Sequence, residues 1–191
     1  GLMQFGREVM NTDGLTVYAM PQMKHFLEHS GPWDQLVSLE NIIPVEISDG
    51  SELAISEEIT VKGFRVPHRN EYSETAAYKI TTPESSYLFI PDIDSWDEMD
   101  KDIISLVKSS DVAFLDGTFY SGDELPGRNM DEIPHPCIVE TMELFSRENK
   151  ETRNKIHFIH FNHSNPVLHN KDIREEILNK GYNIAGQGHN Y

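Results

Sequence analysis

Three apolar segments of this sequence end on side chains that bind metal ions. They are residues 66–68 (VPH), 89–94 (FIPDID) and 158–160 (FIH). Strand ends are favourable places for a metal site, because the sheet fixes the backbone while the following loop stays open to water and substrate. Histidine nitrogen and aspartate oxygen are ligands of zinc and of non-haem iron. The three segments therefore predict a metal site built from strand ends.

Each of the first two segments also has a simpler interpretation when it is taken alone. His68, directly after Val-Pro, is typical of a polar strand terminus. Asp92 competes with its neighbour Asp94 as a ligand, and Asp94 or Ser95 can instead cap the start of a following helix. The residues alone leave these alternatives open.

The third segment carries the most informative pattern. His160 and His163 lie three residues apart on a short turn after an apolar run, a placement that is rarely used for packing. We therefore expect at least one of them to be a metal ligand, and we expect His157 to be structural. Four further histidines have no partner pattern and are expected at the surface or in the core: His25, His29, His169 and His189.

Other catalytic templates are absent from the sequence. It contains no GxSxG, HExxH or CxxC motif, and the Gly-rich residues 181–188 are interpreted as a terminal strand, not as a phosphate-binding loop. The one cysteine, Cys137, is expected to be a small buried hydrophobic residue. Metal chemistry is the template that remains.

The composition narrows the classes of partner. The 191 residues contain 16 Lys and Arg against 32 Asp and Glu, which gives a net charge of −16. Binding phosphates requires a basic face, so we expect no nucleic-acid partner. No run approaches the ~20 apolar residues of a membrane helix, so we expect no membrane contact. We expect a small-molecule or peptide-derived substrate, and the oligomeric state is not readable.

The elements that would position these residues change character along the chain. Residues 1–10 are predicted as a helix, and the strands that follow are typical of antiparallel sheet, with a tight turn at Asp49-Gly50. The predicted strands are residues 15–20, 42–47, 59–66, 75–81, 87–90, 112–115, 156–159 and 182–185. Further helices are predicted to begin at Pro21, at Asp94 or Ser95, at Pro136 and at Ile173, and residues 117–134 as a long polar loop. This order indicates an α/β fold with a layered sheet covered by helices.

Four segments together resemble one known family. They are residues 66–72 (VPHRNEY), 87–96 (YLFIPDIDSW), 115–119 (LDGTF) and 158–166 (FIHFNHSNP). With this set in this order, the chain resembles the metallo-β-lactamase superfamily, and within it the branch of pyrroloquinoline quinone biosynthesis protein B (PqqB). The resemblance covers essentially the whole chain, and the set is far more specific than any one segment.

The resemblance implies both a fold and a ligand set. The fold is a metallo-β-lactamase-like αββα sandwich with a metal site at one edge. His68, Asp92 and His160 match the histidine, the bridging aspartate and the second histidine of the family's later metal motifs. Asp94 remains the competitor of Asp92, and His163 that of His160, so His163 stays among the candidate ligands.

Two further residues receive catalytic roles from the resemblance. His135, between Pro134 and Pro136, is similar to a histidine that phosphodiesterase and tRNA-processing relatives place beside the metals, where it donates a proton to the leaving group. At the start of its helix, the helix dipole is expected to lower the pKa of His135. Asp116, at a buried strand end, is expected to orient the site.

The chain departs from the family in one motif. The HxHxDH ligand cluster is absent, and Gly1-Leu2 is similar to the residues that follow that cluster. We therefore expect residues 1–191 to be the C-terminal portion of a single domain; the alternative is a truncated relative without chemistry. In a partial sandwich, Val61, Phe64, Tyr78 and Phe89 are expected on strand faces that are half exposed.

The expected function is that of a metal-dependent hydrolase. The resemblance implies one or two zinc ions that activate water for attack on a carbonyl or phosphoryl centre. It also implies a connection to pyrroloquinoline quinone biosynthesis and, with iron as the alternative metal, an oxidation of a tyrosine-derived precursor. The alternatives are a phosphodiesterase or RNase Z-like hydrolase and a non-catalytic scaffold module that has lost its metal site.

Overall fold

Strands dominate the first half of the chain, and strands and helices alternate in the second half. The computed structural model describes residues 1–125, 127 and 132–191. The strands are β1 (Leu15–Ala19), β2 (Ile42–Glu46), β3 (Glu52–Ala54), β4 (Thr60–Arg65), β5 (Ala76–Thr81), β6 (Ser86–Ile90), β7 (Val112–Asp116), β8 (Ile156–Ile159) and β9 (Asn183–Ile184). The helices are α1 (Pro21–His29), α2 (Trp33–Ser38), α3 (Ile103–Lys108), α4 (Ile138–Leu144), α5 (Lys150–Asn154) and α6 (Lys171–Asn179), with 3₁₀ helices at Leu2–Phe5 and Pro166–Leu168.

The described strands form two sheets. The larger sheet contains β3 to β9 in sequence order, antiparallel from β3 to β6 and parallel from β6 to β9. The smaller sheet pairs β1 with β2 in parallel, so that Leu15 lies opposite Ile42. The prediction that residues 15–20 and 42–47 belong to antiparallel sheet is therefore wrong, whereas the turn predicted at Asp49-Gly50 is present. The strand that follows this turn is not residues 59–66. Instead, β3, which the sequence did not predict, pairs with β4.

Two helix predictions also differ from the structure. The first ten residues contain a 3₁₀ helix at Leu2–Phe5 in place of a long α-helix. The helix predicted from Asp94 or Ser95 begins at Ile103, because Asp102 caps it by accepting hydrogen bonds from the amides of residues 104 and 105. Part of the predicted loop over residues 117–134, namely residues 126 and 128–131, lies outside the described residues.

The core lies between one face of the larger sheet and its helices. Leu88, Leu115 and Phe158 are fully buried on this face and belong to one cluster with Val107 of α3 and Ile138 of α4. Each such side chain contributes about 1.5–3 kcal/mol through removal from water.

The opposite face of the sheet is less covered. Phe89 on this face is 38% exposed. The expected half exposure of Phe64 is wrong: this ring is buried, because Phe64 lies opposite the buried Ala77 on the core face.

The strand directions bring four strand ends to one edge of the larger sheet. Strands β4 and β6 are both antiparallel to β5 and therefore run in the same direction, and β6, β7 and β8 are mutually parallel. His68 follows β4, Asp92 follows β6, Asp116 ends β7 and His160 follows β8. The topology thus places all four residues at the same edge.

No helix in the described part of the chain is long and apolar enough to cross a membrane.

Candidate metal centre

A cavity of about 230 Å³ opens at this edge of the sheet. Its lining combines acidic and imidazole side chains with one arginine. The lining residues are His68, Arg69, Asp92, Asp94, Ile133, Pro134, His135 and His160. Four of the six predicted site residues therefore line this one cavity: His68, Asp92, His135 and His160.

The tightest group of metal-competent atoms joins Asp92, Asp116 and His135. One ligand atom from each lies within 4.8 Å of the other two. His135 Nδ1 is 2.9 Å from Asp116 Oδ2 and 3.8 Å from Asp92 Oδ1. Asp92 Oδ1 is buried, and no hydrogen-bond partner reaches it from the described residues. Such an atom is costly in a protein interior unless a cation or a bound water compensates it, so this position fits a metal ion.

His68 is held between two aspartates. Its Nδ1 lies 2.6 Å from Asp94 Oδ1, and its Nε2 lies 3.3 Å from Asp92 Oδ2. Histidines that bind metals usually donate their other ring N–H to a carboxylate, which fixes the ring and its tautomer. This geometry distinguishes the two competing aspartates: Asp94 orients His68, and Asp92 belongs to the cluster with Asp116 and His135.

His160 has an unusual backbone conformation for a non-glycine residue. Its φ is 61°, in the left-handed region. Its Nδ1 lies 2.9 Å from Thr118 Oγ1, which leaves Nε2 as the second ring nitrogen. The ring centre is 6.4 Å from that of His135. A strained residue held by a specific side chain is typical of functional sites.

His163 is not brought into the cluster. Its side chain is exposed and does not line the cavity. The residues on either side of it form a separate chain of hydrogen bonds, in which Asn162 Nδ2 donates to Ser164 Oγ and Ser164 Oγ donates to Glu124. Of the two histidines in the third segment, the structure places His160 at the cavity.

Asp116 connects three segments of the site from a fully buried position. Its Oδ1 accepts a hydrogen bond from the Thr118 amide at 2.7 Å, and its Oδ2 accepts one from the Ile93 amide at 3.1 Å. The same Oδ2 contacts His135 Nδ1. Asp116 therefore fixes the residue after Asp92, its own loop and the imidazole of His135.

The expected lowering of the His135 pKa is wrong. Burial opposes the charged imidazolium, but the hydrogen bond and charge of Asp116, with the charges of Asp92 and Asp94, outweigh burial and raise the pKa of His135. The helix dipole has little influence because α4 begins only at Ile138.

Cys137 is the residue at the N-cap of α4. It is buried, and burial together with the neighbouring carboxylates of Glu140 and Glu124 raises the pKa of its thiol to about 12. A thiol that stays protonated at neutral pH is a poor nucleophile. The structure thus agrees with a small buried hydrophobic residue.

Thr118 and Asn165 are site residues for which sequence reasoning gave no role. Thr118 contacts His160, and the buried Asn165 donates hydrogen bonds to the main chain of residues 117 and 118. Both lie inside segments that carry the family resemblance, LDGTF and FIHFNHSNP. Their position in those segments was the only sequence signal that they belong to the site. Their residue types gave none, because hydroxyl and amide side chains form hydrogen bonds throughout proteins.

A sequence-family model described as "Beta-lactamase superfamily domain" matches residues 1–161. The chain belongs to the β-lactamase superfamily. No curated protein sequence gives a significant match.

Solved structures are similar to the chain over most of its length. Zn²⁺-bound PqqB from Methylobacterium extorquens superposes with a TM-score of 0.78 at 17% identity, over 99% of this chain and 67% of that one. Unliganded yeast PDE1 superposes with a TM-score of 0.58 at 9% identity, over 92% of this chain and 59% of that one. At these identities the similarity shows the fold. The predicted metallo-β-lactamase-like α/β fold and the similarity to PqqB are therefore confirmed.

Proposed function

We propose that this protein is a metal-dependent hydrolase of the β-lactamase superfamily. The observation that carries the proposal is the buried, unpartnered Asp92 Oδ1, which faces His135 and Asp116 in one cluster. His68, Asp92 and His160 would hold the ion, and their nitrogen and oxygen donors suit zinc, with iron as the alternative. Exposed His163 is left out of this ligand set.

Asp94, Asp116 and His135 would orient the ligands and donate a proton. A zinc ion held by these residues would supply a nucleophile at neutral pH, because zinc lowers the pKa of a coordinated water to about 7. Asp94 holds the ring of His68, and Asp116 holds the ring of His135 through Nδ1. The raised pKa keeps His135 protonated over a wider pH range, as a proton donor to a leaving group requires.

The substrate class is proposed from charge. The net charge of −16 and the carboxylates of the cavity disfavour a polyanionic nucleic acid and favour a small molecule or a peptide-derived compound. A role in pyrroloquinoline quinone biosynthesis is the more specific proposal, and it rests on the similarity to PqqB in fold.

Three rival functions differ from this proposal in substrate or in metal. A phosphodiesterase would share the metal site and cleave phosphodiesters, and the fold of yeast PDE1 keeps this alternative open. An oxygenase would use iron at the same donors. A scaffold module would keep the fold and bind no metal.

The test combines metal binding with a substrate panel. The 191-residue chain is titrated with Zn²⁺ and Co²⁺ and then assayed with a lactone, an activated ester and bis(p-nitrophenyl) phosphate. We expect saturable binding in the wild type, loss of binding in Asp92→Asn and no change in His25→Ala, which alters an exposed histidine of α1. Hydrolysis restricted to the phosphodiester would favour the phosphodiesterase. Failure of the wild type to bind either metal would contradict the proposed ligand set.

A further inference from the structure

Asn165 is a fully buried amide beside the candidate metal centre. Its Nδ2 donates hydrogen bonds to the carbonyl of Gly117 at 2.8 Å and to that of Thr118 at 3.2 Å. Its Oδ1 accepts a hydrogen bond from the Val167 amide at 2.9 Å, at the start of the 3₁₀ helix. All hydrogen-bonding groups of this side chain are therefore used on the main chain.

The main chain that Asn165 holds carries two residues of the site. The Thr118 amide donates to Asp116 Oδ1, and Thr118 Oγ1 contacts His160 Nδ1 at 2.9 Å. Gly117 has no room for a side chain, since an added Cβ would lie 2.9 Å from the carbonyl oxygen of Ile159. A displacement of residues 117 and 118 would therefore reach both Asp116 and His160.

The turn that contains His160 folds back onto the same main chain. The Asn162 amide donates to the Thr118 carbonyl at 3.0 Å, and the Asn165 amide donates to the Asn162 carbonyl at 2.9 Å. A non-glycine residue with positive φ, such as His160, persists only where surrounding contacts hold it. The contacts of Asn165 and Asn162 with Thr118 supply that support.

We propose that Asn165 is a positioning residue of the metal centre, which holds Thr118 so that its hydroxyl fixes the imidazole of His160. With Nδ1 held by Thr118, Nε2 is the ring nitrogen that remains for a metal ion. The part of this inference that concerns metal affinity rests on the proposed function. The fixed imidazole can be measured without metal.

The competing explanation is that Asn165 only caps the 3₁₀ helix at Pro166–Leu168 through its Oδ1. Asn165→Ser separates the two roles, because serine can still accept the Val167 amide hydrogen bond but lacks the Nδ2 donor. Asn165→Ala loses both. The matched control is Asn41→Ala: Asn41 is also buried and donates from Nδ2 to the Thr12 carbonyl at 2.8 Å, but neither residue lines the cavity.

The first experiment uses the metal-free protein and ¹⁵N NMR of the histidine rings. At about pH 8, where an unperturbed imidazole is neutral, the ring shifts of His160 should differ from those of exposed His163 in the wild type. In Asn165→Ser and Asn165→Ala they should converge on those of His163, and in Asn41→Ala they should stay unchanged. Wild-type His160 shifts in a folded Asn165→Ser protein would overturn the inference in favour of the cap.

The second experiment is a Co²⁺ titration. Thr118→Val, which keeps every bond of Asn165, and Asn165→Ser should each weaken binding about 10-fold, as loss of an outer contact to a ligand does. The double variant should lose no more than either single variant, and Thr118→Ser should restore wild-type affinity. Wild-type affinity in Thr118→Val, or additive losses in the double variant, would contradict the inference.

The two proposals fail in different ways. If the wild type binds no Co²⁺, the proposed function fails, and the ring shifts of His160 still decide the role of Asn165. If the variants at position 165 do not fold, Thr118→Val gives both measurements, because its His160 shifts should also converge on those of His163.

Discussion

Asp116 Oδ2 lies 2.9 Å from His135 Nδ1 and joins the buried end of β7 to the segment that precedes α4. The carboxylate is fully buried and accepts hydrogen bonds from two main-chain amides besides this contact. A buried carboxylate that is hydrogen-bonded on both oxygens orients an imidazole firmly. This pair therefore sets the direction in which the other ring nitrogen of His135, Nε2, points.

The same pair makes the metal-free protein sensitive to pH. The pKa of His135 is raised in the folded state above the unfolded value of about 6.5. Its stabilisation is fully present below the unfolded pKa and is lost as the pH rises through the folded pKa. Denaturant unfolding in the presence of a chelator should show this loss in the wild type and not in His135→Gln. Parallel stability profiles for the two proteins would contradict the assigned charge interaction.

His135→Ala should separate proton donation from metal binding. If His135 acts as a proton donor, the variant should keep its metal content and lose turnover by about 10²–10⁴-fold, the usual contribution of one positioned acid or base. His160→Ala should lose metal and turnover together. Metal analysis beside the hydrolysis assay distinguishes the two. Release of metal by His135→Ala would make His135 a ligand, a role its place in the cluster with Asp92 also permits.

Asp94→Asn should weaken metal binding without removing a ligand. Asp94 Oδ1 lies 2.6 Å from His68 Nδ1, and loss of such an outer contact typically costs 10–100-fold (about 1.4–2.7 kcal/mol) in metal affinity. Asp97→Asn, at an exposed aspartate three residues further on, is the control and should bind as the wild type does. A Co²⁺ titration of the three proteins measures the difference. Complete loss of binding in Asp94→Asn would instead identify Asp94 as a ligand.

The exposed face of the larger sheet should bind a hydrophobic dye. Phe89 is 38% exposed there and its ring centre lies 6.5 Å from that of Phe114 on the next strand. Phe89→Thr keeps a good strand former and should reduce dye fluorescence, whereas Leu178→Gln, at an exposed leucine of α6, should leave it near the wild-type level. Equal fluorescence of all three proteins would show that the dye binds elsewhere.

The sequence predicted the strands that carry the site because their signals are local. Residues 87–90, 112–115 and 156–159 are short apolar runs, and each is a strand in the structure. The pairing of β1 with β2 depends on contacts between distant segments, which no local pattern encodes. Helix α5 (KETRN) escaped prediction because its five residues contain no apolar periodicity.

The residues of the candidate site could largely be predicted from the sequence, but the side-chain contacts between them could not. The spacing of His68, Asp92 and His160 at strand ends indicated their common edge. The choice of Asp94 as the partner of His68, and the contact between Thr118 and His160, depend on side-chain directions set by the folded loops. The raised pKa of His135 could not be predicted for the same reason, because it depends on contact with Asp116, which lies 19 residues away in sequence.

The most direct test of the account is crystallographic. Crystals of the protein soaked in Zn²⁺ and measured at the zinc absorption edge should show an anomalous peak within about 2.2 Å of an Asp92 carboxylate oxygen, the length of a zinc–oxygen bond. The peak should also contact His68 or His160 and should be absent from crystals of Asp92→Asn. A peak away from Asp92, or an undiminished peak in Asp92→Asn, would contradict the proposed metal centre.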